Sequence, residues 1–223
     1  MTVSRLADGL WRWTVPHPEW NGDPNWGREV GSVYCETAEA VVLIDPLVPA
    51  AAGDADRFWR ALDRDVARLD LPVAVFLTCR WHVRSAAAVN DRYGARVWAP
   101  AASGHGFDGV VTDVVADEAR PVAGVMALVT GSPNPNDECL YVLEEHAAVV
   151  AGDILLGSTT GGVRVAPAAW YANSDAERDW YRWRARPSLE RLLAHAPRTL
   201  LVAHGEPITT GATEAIAAAL DAS

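Results

Sequence analysis

Within the seven residues Thr78-Cys79-Arg80-Trp81-His82-Val83-Arg84, a thiol, an imidazole and two guanidinium groups lie close enough along the chain to share one site. Arg80 beside Cys79 favours the thiolate, and His82 or His204 is the available base. The chemistry these residues offer on their own is therefore a nucleophilic thiol assisted by an imidazole. Nothing in the sequence supplies an ordered third partner or an oxyanion pair for it. Two carboxylates, Asp45 and Asp153, each follow an apolar run, where an ionised group is costly unless paired. His204 follows a third such run, Leu200-Leu201-Val202-Ala203. All 19 basic side chains are arginine, which excludes Schiff-base lysine chemistry.

These residues must be carried by strands and helices that interleave along the chain. Gly31-Ser32-Val33-Tyr34-Cys35-Glu36 and Ala40-Val41-Val42-Leu43-Ile44-Asp45 read as a hairpin, which Pro46 ends. Residues 54–69 place Phe58, Trp59, Leu62, Val66 and Leu69 at helical spacing. Val73-Ala74-Val75-Phe76-Leu77 is a continuous apolar run, the mark of a strand covered on both faces. A helix follows over 85–93, with Ser85 at its N-cap and Gly94 as its stop, and then a strand over 95–99. Two strands, 140–143 and 147–151, flank Glu144-Glu145-His146. Residues 157–173 read as one long irregular loop of the kind that lines a site. A helix over 174–193 is capped by Ser174 with Glu177 three residues later. A strand at 199–203 and a helix at 211–222 close the chain. The whole chain, 1–223, reads as a single α/β domain with helices outside two sheets.

In order and spacing, four of these segments resemble the metallo-β-lactamase-like superfamily, particularly its glyoxalase II-like hydrolases. They are Val41-Val42-Leu43-Ile44-Asp45-Pro46, Val75-Phe76-Leu77-Thr78 with the helix and strand after it, Val149-Val150-Ala151-Gly152-Asp153, and Leu201-Val202-Ala203-His204-Gly205. The resemblance implies a four-layer αββα sandwich with its site at one edge between the sheets. It also implies a metal loop reading Thr-His-x-His-x-Asp-His. Here, aligned without gaps, Cys79 and Trp81 stand at the first two histidines, Val83 at the aspartate and Arg84 at the last histidine. Thr130-Gly131-Ser132-Pro133-Asn134-Pro135-Asn136 lacks the histidine expected there. Asp153 and His204 remain, too few for a binuclear zinc centre.

The expectation is thus a degenerate member of that fold that binds an unknown small molecule or a protein partner. The alternative is a hydrolase of esters, thioesters or lactones using one metal or the set Cys79, His82 and His204. No cofactor is expected. A single zinc, if held, would fall to Asp153, His204 and Cys79. The candidate catalytic residues are Asp153, His204 and His82, and the candidate pocket residues are Asp45, Cys79, Arg80 and Arg84. In the absence of a metal, Arg84 is expected to neutralise Asp153 through charge-assisted hydrogen bonds. His82, one position out of register, reads first as a loop residue capping a carbonyl. His17, His105, His146 and His195 read as loop or surface residues.

A formal charge of −10 disfavours nucleic acid as a partner. The absence of an apolar run near the length of a membrane span argues against a membrane one. Three widely spaced cysteines fit a reducing, cytoplasmic setting. Ten tryptophans exceed what one core needs, so some should line a cleft or join two copies of the chain.

Overall fold

The computed structural model describes residues 1–23, 26–101, 109–133, 137–158 and 161–223. His105 and residues 134–136 lie outside them. The N-terminal half forms one sheet from β1 (Thr2–Ala7), β2 (Leu10–Pro16), β3 (Glu29–Glu36), β4 (Val41–Ile44), β5 (Val73–Phe76), β6 (Arg96–Pro100) and β7 (Asp113–Val115), ordered as in the sequence. β1 to β4 pair antiparallel, and β4 to β7 pair parallel. The first two parallel crossovers are α1 (Ala52–Leu69) and α2 (Ala86–Tyr93). A second sheet contains β8 (Val125–Val129), β9 (Cys139–Leu143), β10 (Ala148–Ala151) and β13 (Thr199–Val202), in the order β13-β10-β9-β8.

Side-chain alternation along the strands sets the layers. On β4 and β5, Val42, Ile44, Ala74 and Phe76 face Cys139, Tyr141 and Val150 of the other sheet. Their neighbours Val41, Leu43, Val73 and Val75 pack under Phe58 and Leu62 of α1 and Val89 of α2. On the second sheet, Leu140, Val142, Val149 and Ala151 face outward onto Leu189, Leu192 and Ile216. The result is helix, sheet, sheet, helix, with three apolar layers between them.

Local details depart from the sequence reading in three places. Ser85 does not cap α2; its hydroxyl accepts the Val48 N–H at 2.9 Å instead, tying the loop after β4 to the start of that helix. The stretch read as an irregular loop contains β11 (Leu155–Gly157) paired with β12 (Val163–Val165), then a 3-10 turn at Ala168–Tyr171. The helix expected over 174–193 is broken into pieces. Ser174 and Glu177 form the expected reciprocal cap on α3 (Asp175–Trp180). A π-helical turn, Tyr181–Ala185, then leads into α4 (Arg186–Glu190). The wider turn keeps Trp180, Ala185 and Leu189 buried and leaves Trp183 exposed, which accommodates an apolar set too wide for one stripe. The last helix, α5 (Ala212–Asp221), packs on the second sheet.

Candidate active site at the sheet edge

Asp45, Thr78, Asp153 and His204 all sit just beyond the ends of β4, β5, β10 and β13, at the same edge of the two sheets. Three glycines let the backbones close there. Gly31 passes beneath the Arg12 guanidinium, and a Cβ on it would lie 2.7 Å from Nε. Arg12 in turn donates to Gly205 O at 2.9 Å, which, with the Gly31 N–H on Ala203 O, fastens β2 and β3 of the first sheet to the His204 turn of the second. Gly205 has a φ of +85°, and a Cβ there would stand 2.2 Å from Gly157 O. A Cβ on Gly152 would meet Thr78 Oγ1 at 2.4 Å.

The site is organised by a chain of buried polar groups. Asp45 accepts the Thr78 N–H at 2.8 Å and the Thr78 hydroxyl at 2.6 Å. Its Oδ2 also accepts His82 Nδ1–H at 2.8 Å. That bond fixes the ring and turns His82 Nε2 toward Asp153 Oδ1, 3.2 Å away. His204 Nε2 approaches the same oxygen at 3.0 Å. Neither approach has hydrogen-bond alignment, and Asp153 Oδ1 is buried without a partner. Cys79 Sγ lies 3.9 Å from Asp153 Oδ2.

Here the sequence reading needs four corrections. Arg84 does not pair with Asp153: its Nη1 donates to Gly31 O at 3.0 Å and Asp45 O at 3.1 Å. The cause is the 3-10 turn at Arg80–His82, which advances the loop so that His82, not Arg84, meets Asp153. Arg84 then takes a left-handed φ of +41°, and its guanidinium tucks under the strand ends. His82 is accordingly no carbonyl cap but a buried member of the site. Arg80 does not line the cleft; it stacks over the Trp81 ring at 3.9 Å. Nor does Arg80 activate Cys79. Burial pushes that thiol up to about 12, so it is protonated and a poor nucleophile as it stands.

Two contributors were not foreseen. Glu138, buried at the start of β9, accepts the N–H groups of Asp153 and Ile154, the latter at 2.8 Å, and so holds the Asp153 turn in place. An acidic residue opening an apolar run was its only signal in the sequence. His17, read as a surface residue, lines the cleft beside Trp26, their rings 5.5 Å apart edge to face. Trp26 in turn stands edge-on to His204 at 5.2 Å. The cleft holds about 410 Å³, and its walls include Trp26, Trp81, Trp170 and Tyr171.

Charges within the cluster set one another. Burial and Arg84 oppose a charge on His82, but the facing carboxylates Asp153 and Asp45 help to raise its pKa well above the ordinary value. Burial alone would raise Asp153; His82 and His204 instead hold it well below the usual carboxylate range. Burial lowers His204 despite the pull of Asp153. Burial, then Asp153, pushes Glu138 well above its usual range.

A metal would fit this donor set. Atoms of Cys79, His82 and Asp153 lie within 4.8 Å of one another. In a tetrahedral zinc site with bonds of about 2.0–2.3 Å, neighbouring ligand atoms are about 3.3–3.6 Å apart. The approaches of both imidazoles to one carboxylate oxygen, at 3.0 and 3.2 Å, are slightly shorter than such edges and lack hydrogen-bond alignment, so small shifts would bring them to ligand spacing. The Asp45 bond to His82 Nδ1 is also the usual outer support of a metal-binding imidazole.

No protein-family model and no curated protein matches the sequence. Solved structures do. A metallo-β-lactamase from Pontibacter korlensis superposes with a TM-score of 0.66 at 15% identity, covering 100% of this chain and 99% of the other. This chain has the metallo-β-lactamase fold. The FIM-1 metallo-β-lactamase of Pseudomonas aeruginosa, solved in its mono-zinc form, gives 0.66 at 14% identity over 99% and 95% of the two chains. The metallo-β-lactamase of Erythrobacter litoralis gives 0.62 at 17% identity over 98% and 90%. At such identities the likeness is one of fold. The four-layer fold expected from the ordered strand motifs is the one observed. Among the described residues no helix is long and apolar enough to cross a membrane.

Proposed function

We propose that this chain is a hydrolase of carbonyl compounds in the ester, thioester or lactone class, working with one divalent transition metal. The observation that carries this reading is the convergence of His82, His204 and Cys79 on Asp153, whose Oδ1 is buried without an aligned hydrogen bond, in a cleft of the metallo-β-lactamase fold. Cys79, His82 and Asp153 would hold the ion, with His204 Nε2 beside Asp153 at the edge of the set; when bound, the ion would supply a Lewis acid and an acidified water. The positions of Trp81 and Arg84, and the residues Thr130, Gly131 and Ser132, bring no donors for a second ion. That supports one metal rather than two.

The protein's own groups have separable tasks. Asp45 holds the proton of His82 at Nδ1 and so leaves Nε2 as the donor. Glu138 orients the Asp153 turn through two backbone N–H groups. Thr78 braces Asp45 from the first sheet. The indoles of Trp26 and Trp170 line the cleft. Without an ion, His82 holds a second proton at Nε2 between Asp45 and Asp153, so metal and proton compete for the same nitrogen.

The test is reconstitution. Chelator-treated protein should be inactive on aryl esters and regain hydrolysis with one equivalent of zinc. Cys79→Ser and His82→Gln should lower the activity regained at that zinc level by roughly tenfold or more, the scale on which metal-site residues act. Equal activity of treated and reconstituted protein would refute the reading.

A further inference from the structure

The proposed hydrolysis leaves open which carbonyl compounds the cleft admits, and the walls bear on that question. Three tryptophans from three separate elements line it: Trp26 after β2, Trp81 in the turn after β5, and Trp170 in the turn after β12. Flat indole surface of this kind favours planar, apolar partners, which gain ring contacts in addition to buried area.

The charges around the cleft point the same way. Glu19, exposed, and Asp23 line its mouth. Deeper in, Asp153 faces His82 and His204. Arg84 is the one arginine in the lining among the described residues, and it cannot greet an anion. Its Nη1 is committed to two backbone carbonyls, while Nε and Nη2 are shut off from solvent. Arg80 lies over Trp81, outside the lining. His17 is shifted toward its neutral form, chiefly by burial. A metal held by Cys79 and Asp153 would be balanced by their two negative charges. The cleft therefore has an aromatic wall and a negatively charged mouth, and its inner cations are engaged, Arg84 by two backbone carbonyls and metal-free His82 between Asp45 and Asp153.

We infer that the site selects aromatic carbonyl substrates that carry no negative charge, and disfavours acids of the same shape. The inference builds on the proposed hydrolysis, but it concerns the cleft and can be read apart from catalysis. Two carboxylates across a half-wet cleft weaken binding of a third by roughly tenfold at low salt.

Phenylacetamide and its 4-carboxy analogue, neither a ready substrate, should be titrated into the full chain without metal, with tryptophan fluorescence as the readout. The neutral compound should bind about tenfold more tightly at low salt, with the gap shrinking as salt rises. Glu19→Gln combined with Asp23→Asn should narrow the gap at least threefold, and Trp170→Leu should weaken the neutral compound. The matching pair of 4-nitrophenyl esters on zinc-loaded protein should show the same order in kcat/KM. Equal binding, tighter binding of the acid, or a gap unmoved by the rim variants would overturn the inference. Failure to hydrolyse either ester, with the binding order intact, would count against the hydrolase reading and leave the selectivity standing.

Discussion

Replacing Asp45 with asparagine should both loosen the fold and weaken the metal site, because one buried carboxylate serves both. Asp45 is 2% exposed and accepts three hydrogen bonds, two of them at Oδ2, from the Thr78 hydroxyl at 2.6 Å and His82 Nδ1 at 2.8 Å. In Asp45→Asn the side-chain carbonyl can still accept the Thr78 N–H, but the amide nitrogen then faces two donors. Losing two charge-assisted bonds of about 1.5–3 kcal/mol each gives a gross loss of about 3–6 kcal/mol. Relief from burying a charge returns part of this, so the net cost should be about 3 kcal/mol. Denaturant unfolding of metal-free wild type and variant measures it. The freed His82 ring should also lower zinc affinity by roughly 10–100-fold in a competition titration against a chelating dye. A stability loss below about 1 kcal/mol together with zinc affinity within about twofold of wild type would refute the reasoning, since both effects are argued from the same three bonds.

Three further outcomes follow from the same geometry. The His82 pKa is raised on folding, so its contribution to metal-free stability is complete below the unfolded value of about 6.5 and is lost as pH rises through the higher folded value. Asp153 is lowered, so its contribution is present above about pH 4 and fades only as acid reaches its depressed value. Unfolding midpoints of metal-free protein should thus fall as pH rises above about 6.5, and a His82→Gln variant should have a shallower alkaline limb, with Glu138 supplying the remainder. Arg84→Ala should cost about 2–3 kcal/mol from the two carbonyls it leaves unmet, and combining it with Asp153→Asn should add losses, with coupling under about 1 kcal/mol; recovery in the double variant would restore the pairing the sequence suggested. Gly205→Ala, forced into φ +85° against Gly157 O, should destabilise by at least about 3 kcal/mol in thermal melts and disturb the site through its neighbour His204.

Much of the scaffold was legible because it rests on periodicities. Val41 to Ile44 read as a hairpin strand and Val73 to Phe76 as a strand buried on both faces, and in both the structure sends alternate residues to two different apolar layers. The Ser174 and Glu177 cap was legible because it depends on two residue types at fixed spacing. The site was harder to read. A three-residue 3-10 turn has no period to detect, and the turn at Arg80–His82 decided whether arginine or histidine would face Asp153. A gapless alignment assigns that place to Arg84. The signal that could have corrected it is chemical: His82 is the only imidazole in the loop, and Asp45 ends the neighbouring strand as a buried carboxylate in need of a donor. Glu138 and Trp26 reach the site through long-range packing, which neither composition nor local spacing encodes. The π-helical turn after α3 was likewise hidden, although the excess of aromatic residues there showed that one regular helix would not bury them all.

The proposed function requires that Cys79, His82 and Asp153 hold a single metal ion. Zinc-edge X-ray absorption on protein loaded with zinc and freed of excess measures this most directly, together with elemental analysis of the same sample. The account predicts one zinc per chain, with one sulfur neighbour at about 2.3 Å and nitrogen or oxygen neighbours at about 2.0–2.2 Å, the sulfur being lost in Cys79→Ser. No retained zinc, or a shell of nitrogen and oxygen alone in the wild-type protein, would contradict it.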